Sequence, residues 1–206
     1  MLKILFFNII VKPLLLIIMG LNVKNRDKLP VKGPAIIIAN HNSHLDTLSI
    51  MSLFENNLLK QVRPIGAVDY FFGNKYTSWL SENLLGIIPL DRKVKGKDPL
   101  ENICKSLSNN EIVIIFPEGT RGTPEEIKEF KSGIFHISKK NQNVPIIPMF
   151  MKGMGKSLPR NEALFVPFIG YINIGDEIYY KENESKSEYM ENIKLVFNDL
   201  ENEIEH

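Results

Sequence analysis

A chain of 206 residues is long enough for one domain with a two-sided core and too short for two ordinary domains joined by a linker. Its 25 Lys and Arg against 24 Asp and Glu exclude the basic excess that concentrates contacts to a phosphate backbone, so nucleic acid is not an expected partner. The single cysteine, Cys104, excludes an intramolecular disulfide framework and fits a reducing compartment.

The first twenty residues, MLKILFFNIIVKPLLLIIMG, are the compositional outlier, with apolar runs at 4–10 and 14–19. Spanning a bilayer takes about twenty largely apolar residues, and Asn8, Lys12 and Pro13 interrupt this stretch. An interfacial helix or helical hairpin fits better. A secretory leader would need an unbroken apolar centre and a small-residue cleavage site, so the segment is expected to be retained. A buried core helix is the competing reading. Lys24, Arg26, Lys28 and Lys32 follow closely, as expected beside anionic headgroups, and favour attachment to the cytoplasmic face of the membrane. The expected division is a membrane-associated helical segment at 1–24 and a single domain at 25–206.

Residues 34–39, Pro-Ala-Ile-Ile-Ile-Ala, form a short β-branched run, the signature of a strand buried on both faces. Runs of the same kind follow at 112–116 and 144–150, with a weaker one at 87–90. Between them lie helix-like stretches at 45–53, 75–84, 99–108 and 133–140. Met190, Ile193, Phe197, Leu200 and Ile204 recur at three- and four-residue spacing and predict an amphipathic C-terminal helix. Strands alternating with helices predict an α/β domain with a largely parallel central sheet flanked by helices.

In open parallel sheets the ligand crevice lies outside the carboxyl ends of the strands. Asn-His-Asn-Ser-His-Leu-Asp (40–46) directly follows the first run, and Pro-Glu-Gly-Thr-Arg (117–121) directly follows the run at 112–116. Both polar clusters are therefore expected on one rim, with Asp91 and Arg92 as further candidates.

His41 and Asp46 are five apart and would face different ways on one continuous helix, so they can meet only across a turn. If Ser43 caps a helix starting near His44, Asp46 lies in its first turn and can reach back to His41. That pair supplies a base with its orienting carboxylate, which acyl transfer to an alcohol needs. Ser43 and Asp46 equally match a capping box, in which Asp46 would bond only the backbone. Metal binding by His41, His44 and Asp46 is a third reading, and it would need further ligands from a chain with four histidines; no metal is expected.

Glu118, Gly119, Thr120 and Arg121 suit a polyol phosphate. Arg121 can bind phosphate bidentately, Glu118 can accept from a glycerol hydroxyl, and Gly119 lets the backbone approach closely. An ordinary turn with a surface ion pair is the alternative. Arg92 and Lys131 could also face phosphate, although a lone cation is usually a solvated surface charge.

Taken in order, NHNSHLD, GIIPLDR, FPEGTR and VPIIP resemble the glycerolipid acyltransferase family, which includes bacterial 1-acylglycerol-3-phosphate acyltransferases. The resemblance covers residues 36–150. It implies a glycerol-3-phosphate acyltransferase-like fold, with His41 and Asp46 as the catalytic HxxxxD pair. Arg92 corresponds to the arginine ending the second block, and Glu118, Gly119 and Arg121 to the block that binds glycerol phosphate. Residues 130–133, Phe-Lys-Ser-Gly, resemble the basic segment that follows it. The chain departs from the family at 65–72, Ile-Gly-Ala-Val-Asp-Tyr-Phe-Phe, where many members are lysine-rich. The implied activity is transfer of a fatty acyl group from acyl-CoA or acyl carrier protein to the sn-2 hydroxyl of a lysophospholipid, 1-acylglycerol-3-phosphate. The thioester is then a co-substrate and no cofactor is required. Other lysolipids or glycerol-3-phosphate are alternative acceptors, and a non-catalytic lipid-binding membrane protein is the alternative from another class.

Overall fold

The computed structural model describes residues 1–18, 20–91, 96, 98–122, 127–157 and 169–205. Arg92 lies outside the described residues. Among those residues seven strands form one sheet: β1 (Asn22–Lys24), β2 (Ala35–Ala39), β3 (Val62–Ala67), β4 (Ile88–Leu90), β5 (Ile112–Ile115), β6 (Ile146–Lys152) and β7 (Tyr171–Ile174). Their order is β1-β7-β6-β2-β5-β3-β4. β6, β2, β5, β3 and β4 run parallel, β7 is antiparallel to β6, and β1 lies parallel to β7.

The strand at the centre shows why these residues choose this fold. All five residues of β2 are buried, and their side chains alternate between two cores. Ala35, Ile37 and Ala39 join Phe7, Val11, Leu15 and Met51 on one face. Ile36 and Ile38 join Ile103, Leu107, Ile134, Tyr189 and Phe197 on the other. A strand with no polar side chain can sit only between two covered faces, and burying each isoleucine contributes about 1.5–3 kcal/mol. One cover is the N-terminal helical segment with α2 (Leu45–Ser52). That segment starts as α1 (Leu2–Phe6) and continues in wide, π-type turns at Phe7–Val11 and Leu14–Ile18. Short helices α3 (Asn56–Leu59), α4 (Val68–Phe71) and α5 (Lys75–Leu80) follow. The opposite cover is α6 (Glu101–Ser108), α7 (Gly133–Lys140) and, after the short α8 (Met154–Ser157), the C-terminal α9 (Lys186–Glu205).

The α/β architecture with a mainly parallel sheet follows the sequence expectation, and three strands go beyond it. β3 reads Val-Arg-Pro-Ile-Gly-Ala, in which Pro64 and Gly66 suppress the strand signal. Its ladder explains how Pro64 is tolerated. Residues 62–64 pair with β5, and 65–67 pair with β4, so the missing N–H falls where the strand changes partner. β1 and β7 are short strands at the far edge. The helix expected at 75–84 is α5 followed by a wide turn at Ser81–Leu85.

The N-terminal segment is apolar on most sides, with Lys3, Asn8 and Lys12 as its polar residues, and packs through one stripe. Phe7, Val11 and Leu15, four apart, are fully buried, whereas Leu5, Ile9, Ile10, Leu16 and Ile17 are exposed. Lys3 fixes its start by donating from Nζ to the carbonyls of Val62 (2.7 Å) and Leu85 (3.1 Å). Burial, and then the neighbouring Arg63 charge, push the Lys3 ammonium down to about 7. Among the described residues no helix is long and apolar enough to cross a membrane.

Two glycines with positive φ separate conformational from steric constraint. Gly153 (φ +88°) follows β6, and a Cβ there would lie 2.2 Å from the Ile169 carbonyl oxygen; Gly20 (φ +64°) has nothing within 4 Å. Gly20→Ala should cost about 1 kcal/mol and Gly153→Ala more than about 3 kcal/mol, measured by urea unfolding. Equal costs would show that the Ile169 backbone yields freely.

Candidate active site

β2 and β5 are parallel neighbours, so the loops leaving their carboxyl ends share one rim. Asn40, the first residue past β2, is buried and copies a strand. Its amide oxygen accepts from Met151 N (2.7 Å), and its Nδ2 donates to Met151 O (2.8 Å). This extends the β2–β6 ladder by one rung and fixes the direction in which His41 leaves the sheet.

His41 is then clamped from the β5 side. Its main-chain N–H donates to Glu118 Oε1 (2.8 Å), its carbonyl accepts from Gly122 N (2.7 Å), and its ring stacks on Phe116 with centroids 4.0 Å apart. The ring nitrogen Nδ1 lies 2.9 Å from Asp46 Oδ2. The same carboxylate oxygen accepts the backbone N–H groups of Asn42 (2.7 Å) and Ser43 (2.8 Å). Asp46 is 1% exposed and sits in the first turn of α2, where the helix dipole favours its negative charge. The contacts that both sequence readings require of Asp46 are therefore present at once. It bonds the backbone at the helix start as a capping-box residue does, and it receives the His41 Nδ1–H, which makes Nε2 the basic nitrogen of the ring.

A cavity of about 1020 Å³ opens beside this pair, at the upper end of the roughly 300–1,000 Å³ usual for small-molecule pockets. One end is polar, with His41, His44, Thr120, Arg121 and Lys131. The rest is mainly apolar, with Leu48, Ile65, Leu84, Leu85, Ile103 and Ile134 among its walls beside Thr47, Asp69, Thr77 and Ser81. Gly119 (φ +72°) turns the loop so that a Cβ would meet Lys131 Nζ at 3.0 Å, which brings that ammonium over the loop backbone.

Arg121 is held by two aromatic groups that the sequence did not single out for this work. Its Nη1 contacts His44 Nε2, and its guanidinium carbon lies 5.5 Å from the Tyr70 ring centroid. Burial, and after it the Arg121 charge, lower the His44 pKa. A neutral imidazole can accept from the guanidinium and keep its charge directed at the cavity. The sequence offered His44 only as a candidate metal ligand beside His41 and Asp46. Tyr70 gave no signal, being 51 residues from Arg121 in the chain.

Glu118 differs from its expected role. It does not line the cavity among the described residues, is 2% exposed, and binds the His41 amide instead of facing a glycerol hydroxyl. Burial, the largest cause, pushes its carboxyl up to about 7. His41, Asp46, Gly119, Thr120, Arg121 and Lys131 are thus brought together around one cavity end, with Glu118 behind them.

Comparisons with known proteins bear on the family and the fold. The chain is 29% identical over 142 residues, 68% of its length, to a chloroplastic 1-acyl-sn-glycerol-3-phosphate acyltransferase of Arabidopsis thaliana, covering 38% of that protein. It is 30% identical over 146 residues, 69% of its length, to the mouse (Mus musculus) 1-acyl-sn-glycerol-3-phosphate acyltransferase alpha, covering 49% of it. The chain thus spans less than half the length of these relatives. In fold it is similar to the crystal structure of a 1-acyl-sn-glycerophosphate acyltransferase, PlsC, from Thermotoga maritima. That likeness has a TM-score of 0.73 at 23% identity, over 88% of this chain and 71% of the other. The family model described as Acyltransferase matches residues 20–152, which is most of the chain, and the chain belongs to that family.

Proposed function

We propose that this protein transfers a fatty acyl group from an acyl thioester, acyl-CoA or acyl carrier protein, to the sn-2 hydroxyl of 1-acylglycerol-3-phosphate, forming phosphatidic acid. The observation that carries the reading is the His41–Asp46 pair, locked by three N–H donors on one carboxylate oxygen, at the cationic end of a long apolar cavity. A charged phosphate and an acyl chain are the two halves of such an acceptor. The names of the relatives above support this choice of acceptor.

In this mechanism His41 Nε2 takes the proton of the acceptor hydroxyl as its oxygen attacks the thioester carbonyl. The tetrahedral intermediate collapses, the C–S bond breaks, and the thiolate leaves with the proton returned from His41. Asp46 holds the tautomer and stabilises the imidazolium. A positioned base supplies roughly 10²–10⁴-fold, and proximity in the cavity supplies a further share. Arg121 and Lys131 bind the phosphate, with Thr120 and the Gly119 backbone beside them, and Arg92 remains a further cation for that role. The first 24 residues hold residues 25–206, the transfer domain, on the cytoplasmic face of the membrane.

The reaction is tested with purified protein on a panel of acceptors: 1-acylglycerol-3-phosphate, lysophospholipids with larger headgroups, and glycerol-3-phosphate. Turnover should be greatest on the first, and turnover only of another lysolipid would replace it. His41→Ala should lower kcat by at least about 10³-fold with an unchanged circular-dichroism spectrum. Activity equal to the parent would remove the mechanism.

Glu118 gives a pH prediction. Its folded value, about 7, lies above the ordinary 4.5, so between those values the folded chain holds a proton that the unfolded chain releases. The stability this supplies is complete below pH 4.5 and lost as pH rises through 7. Glu118→Gln keeps an acceptor for the His41 amide but cannot titrate. Parent stability relative to the variant should therefore fall by on the order of 2–3 kcal/mol between pH 5 and pH 8, read from urea unfolding. A pH-independent difference would show an ordinary carboxyl.

Membrane attachment is tested on exposed side chains, since Phe7, Val11 and Leu15 belong to the core. Ile9→Ser with Ile10→Ser and Ile17→Ser should shift the protein from vesicle-bound to free in a flotation assay with little change in unfolding midpoint. Undiminished flotation would place the anchor elsewhere.

A further inference from the structure

Large apolar side chains are exposed at a second place. Within the eleven residues 70–80, Tyr70 is 53% exposed, Tyr76 83%, Trp79 50% and Leu80 45%. Tyr70 belongs to α4 and the other three to α5. Scattered exposed apolar residues are ordinary, but a contiguous group marks an interaction surface.

This group adjoins the exposed N-terminal residues. α1 packs on the Ser81–Leu85 turn that continues α5, and Lys3 bonds to the Leu85 carbonyl. The group also borders the cavity, because Tyr70 and Leu80 are half exposed and line it, as Phe6 of α1 does. The cavity mouth therefore opens inside an apolar surface built from two separate parts of the chain. Tyrosine and tryptophan, each an apolar body with a polar tip, are the side chains that settle at a membrane–water boundary. Charge in this stretch is nearly balanced, with Lys75 against exposed Asp69 and Glu82, so contact here is carried by apolar insertion.

We infer that the α4–α5 hairpin is a second bilayer-docking surface, with Tyr76 and Trp79 seated at the lipid interface, so that the cavity mouth faces the membrane. A lipid acceptor then passes from the bilayer into the cavity without crossing water. The inference rests on the lipid-acceptor reading for its purpose, while its geometry is independent of catalysis.

Trp79 is the sole tryptophan of the chain, so intrinsic fluorescence of the full protein reports this site alone. Adding vesicles of phosphatidylglycerol and phosphatidylethanolamine should shift the emission to the blue. Lipids brominated on the upper acyl chain should quench it more than lipids brominated near the chain end. Unchanged emission from protein that floats with the vesicles overturns the proposal and leaves N-terminal attachment standing; failure to bind vesicles overturns both. A blue shift on raising protein concentration without vesicles assigns the surface to a second copy of the chain and also overturns it. Trp79 and Tyr76 do not line the cavity. The Tyr76→Ser, Trp79→Ser double variant should partition onto vesicles about tenfold less while acylating a short-chain, water-dispersed acceptor at the parent rate. Undiminished partitioning would count against the surface even if acylation were lost.

Discussion

A single carboxylate oxygen organises this site. Asp46 Oδ2 receives the His41 ring N–H and the amides of Asn42 and Ser43, and so joins two jobs usually done by different residues. It satisfies the Asn42 and Ser43 amides just before α2, which would otherwise be buried without partners, a contribution of about 1 kcal/mol. As an acceptor for the imidazole it fixes which nitrogen is basic. The shared atom makes the jobs inseparable. The helix can begin here only with the carboxylate directed at the strand end, and that direction is the one that orients His41.

The remaining contacts address a harder problem, the positioning of two loops 77 residues apart in sequence. β2 and β5 pair directly, which places both loops on one rim but does not fix how far each side chain advances. Three backbone contacts do that. Asn40 adds a rung toward β6, Glu118 takes the His41 amide, and Gly122 donates to the His41 carbonyl. His41 is thereby held at both its N–H and its C=O, and its ring is confined between Asp46 and Phe116. A base restrained in this way loses little entropy on reaching the reactive geometry.

Much of this was legible in the sequence where local pattern and chemistry coincide. The isoleucine runs of β2 and β5 can be stable only between two covered faces, and a polar cluster straight after each had to lie at the strand ends. β3 was not legible, because Pro64 and Gly66 argue against a strand locally. What admits Pro64 is a change of ladder partner, which depends on β4 and β5 together. Glu118 was read as a substrate ligand for a similar reason. A glutamate in a glycine-containing loop looks exposed, and only the fold reveals that a backbone amide 77 residues away claims it. Arg121 was legible as a cation in the loop after β5, but its supports were not, since Tyr70 and His44 reach it from two other elements.

The N-terminal segment shows how folding uses one stripe of an apolar element and leaves the rest for the proposed attachment. A largely apolar helix can be buried entirely, span a bilayer, or divide its surface between a core and a lipid phase. Here Phe7, Val11 and Leu15 fill the core beneath β2, and the other faces stay exposed. Because Phe6 also lines the cavity, the stripe that holds the segment to the body lies beside the substrate space. Lys3, a buried ammonium bonded to two carbonyls of the body, resists sliding along that stripe. Its desolvation is costly, and the two carbonyl partners together with the Glu111 charge offset part of it. The segment is therefore part of the wall of the site, so a change that loosened it would enlarge the cavity as well as weaken any hold on the membrane.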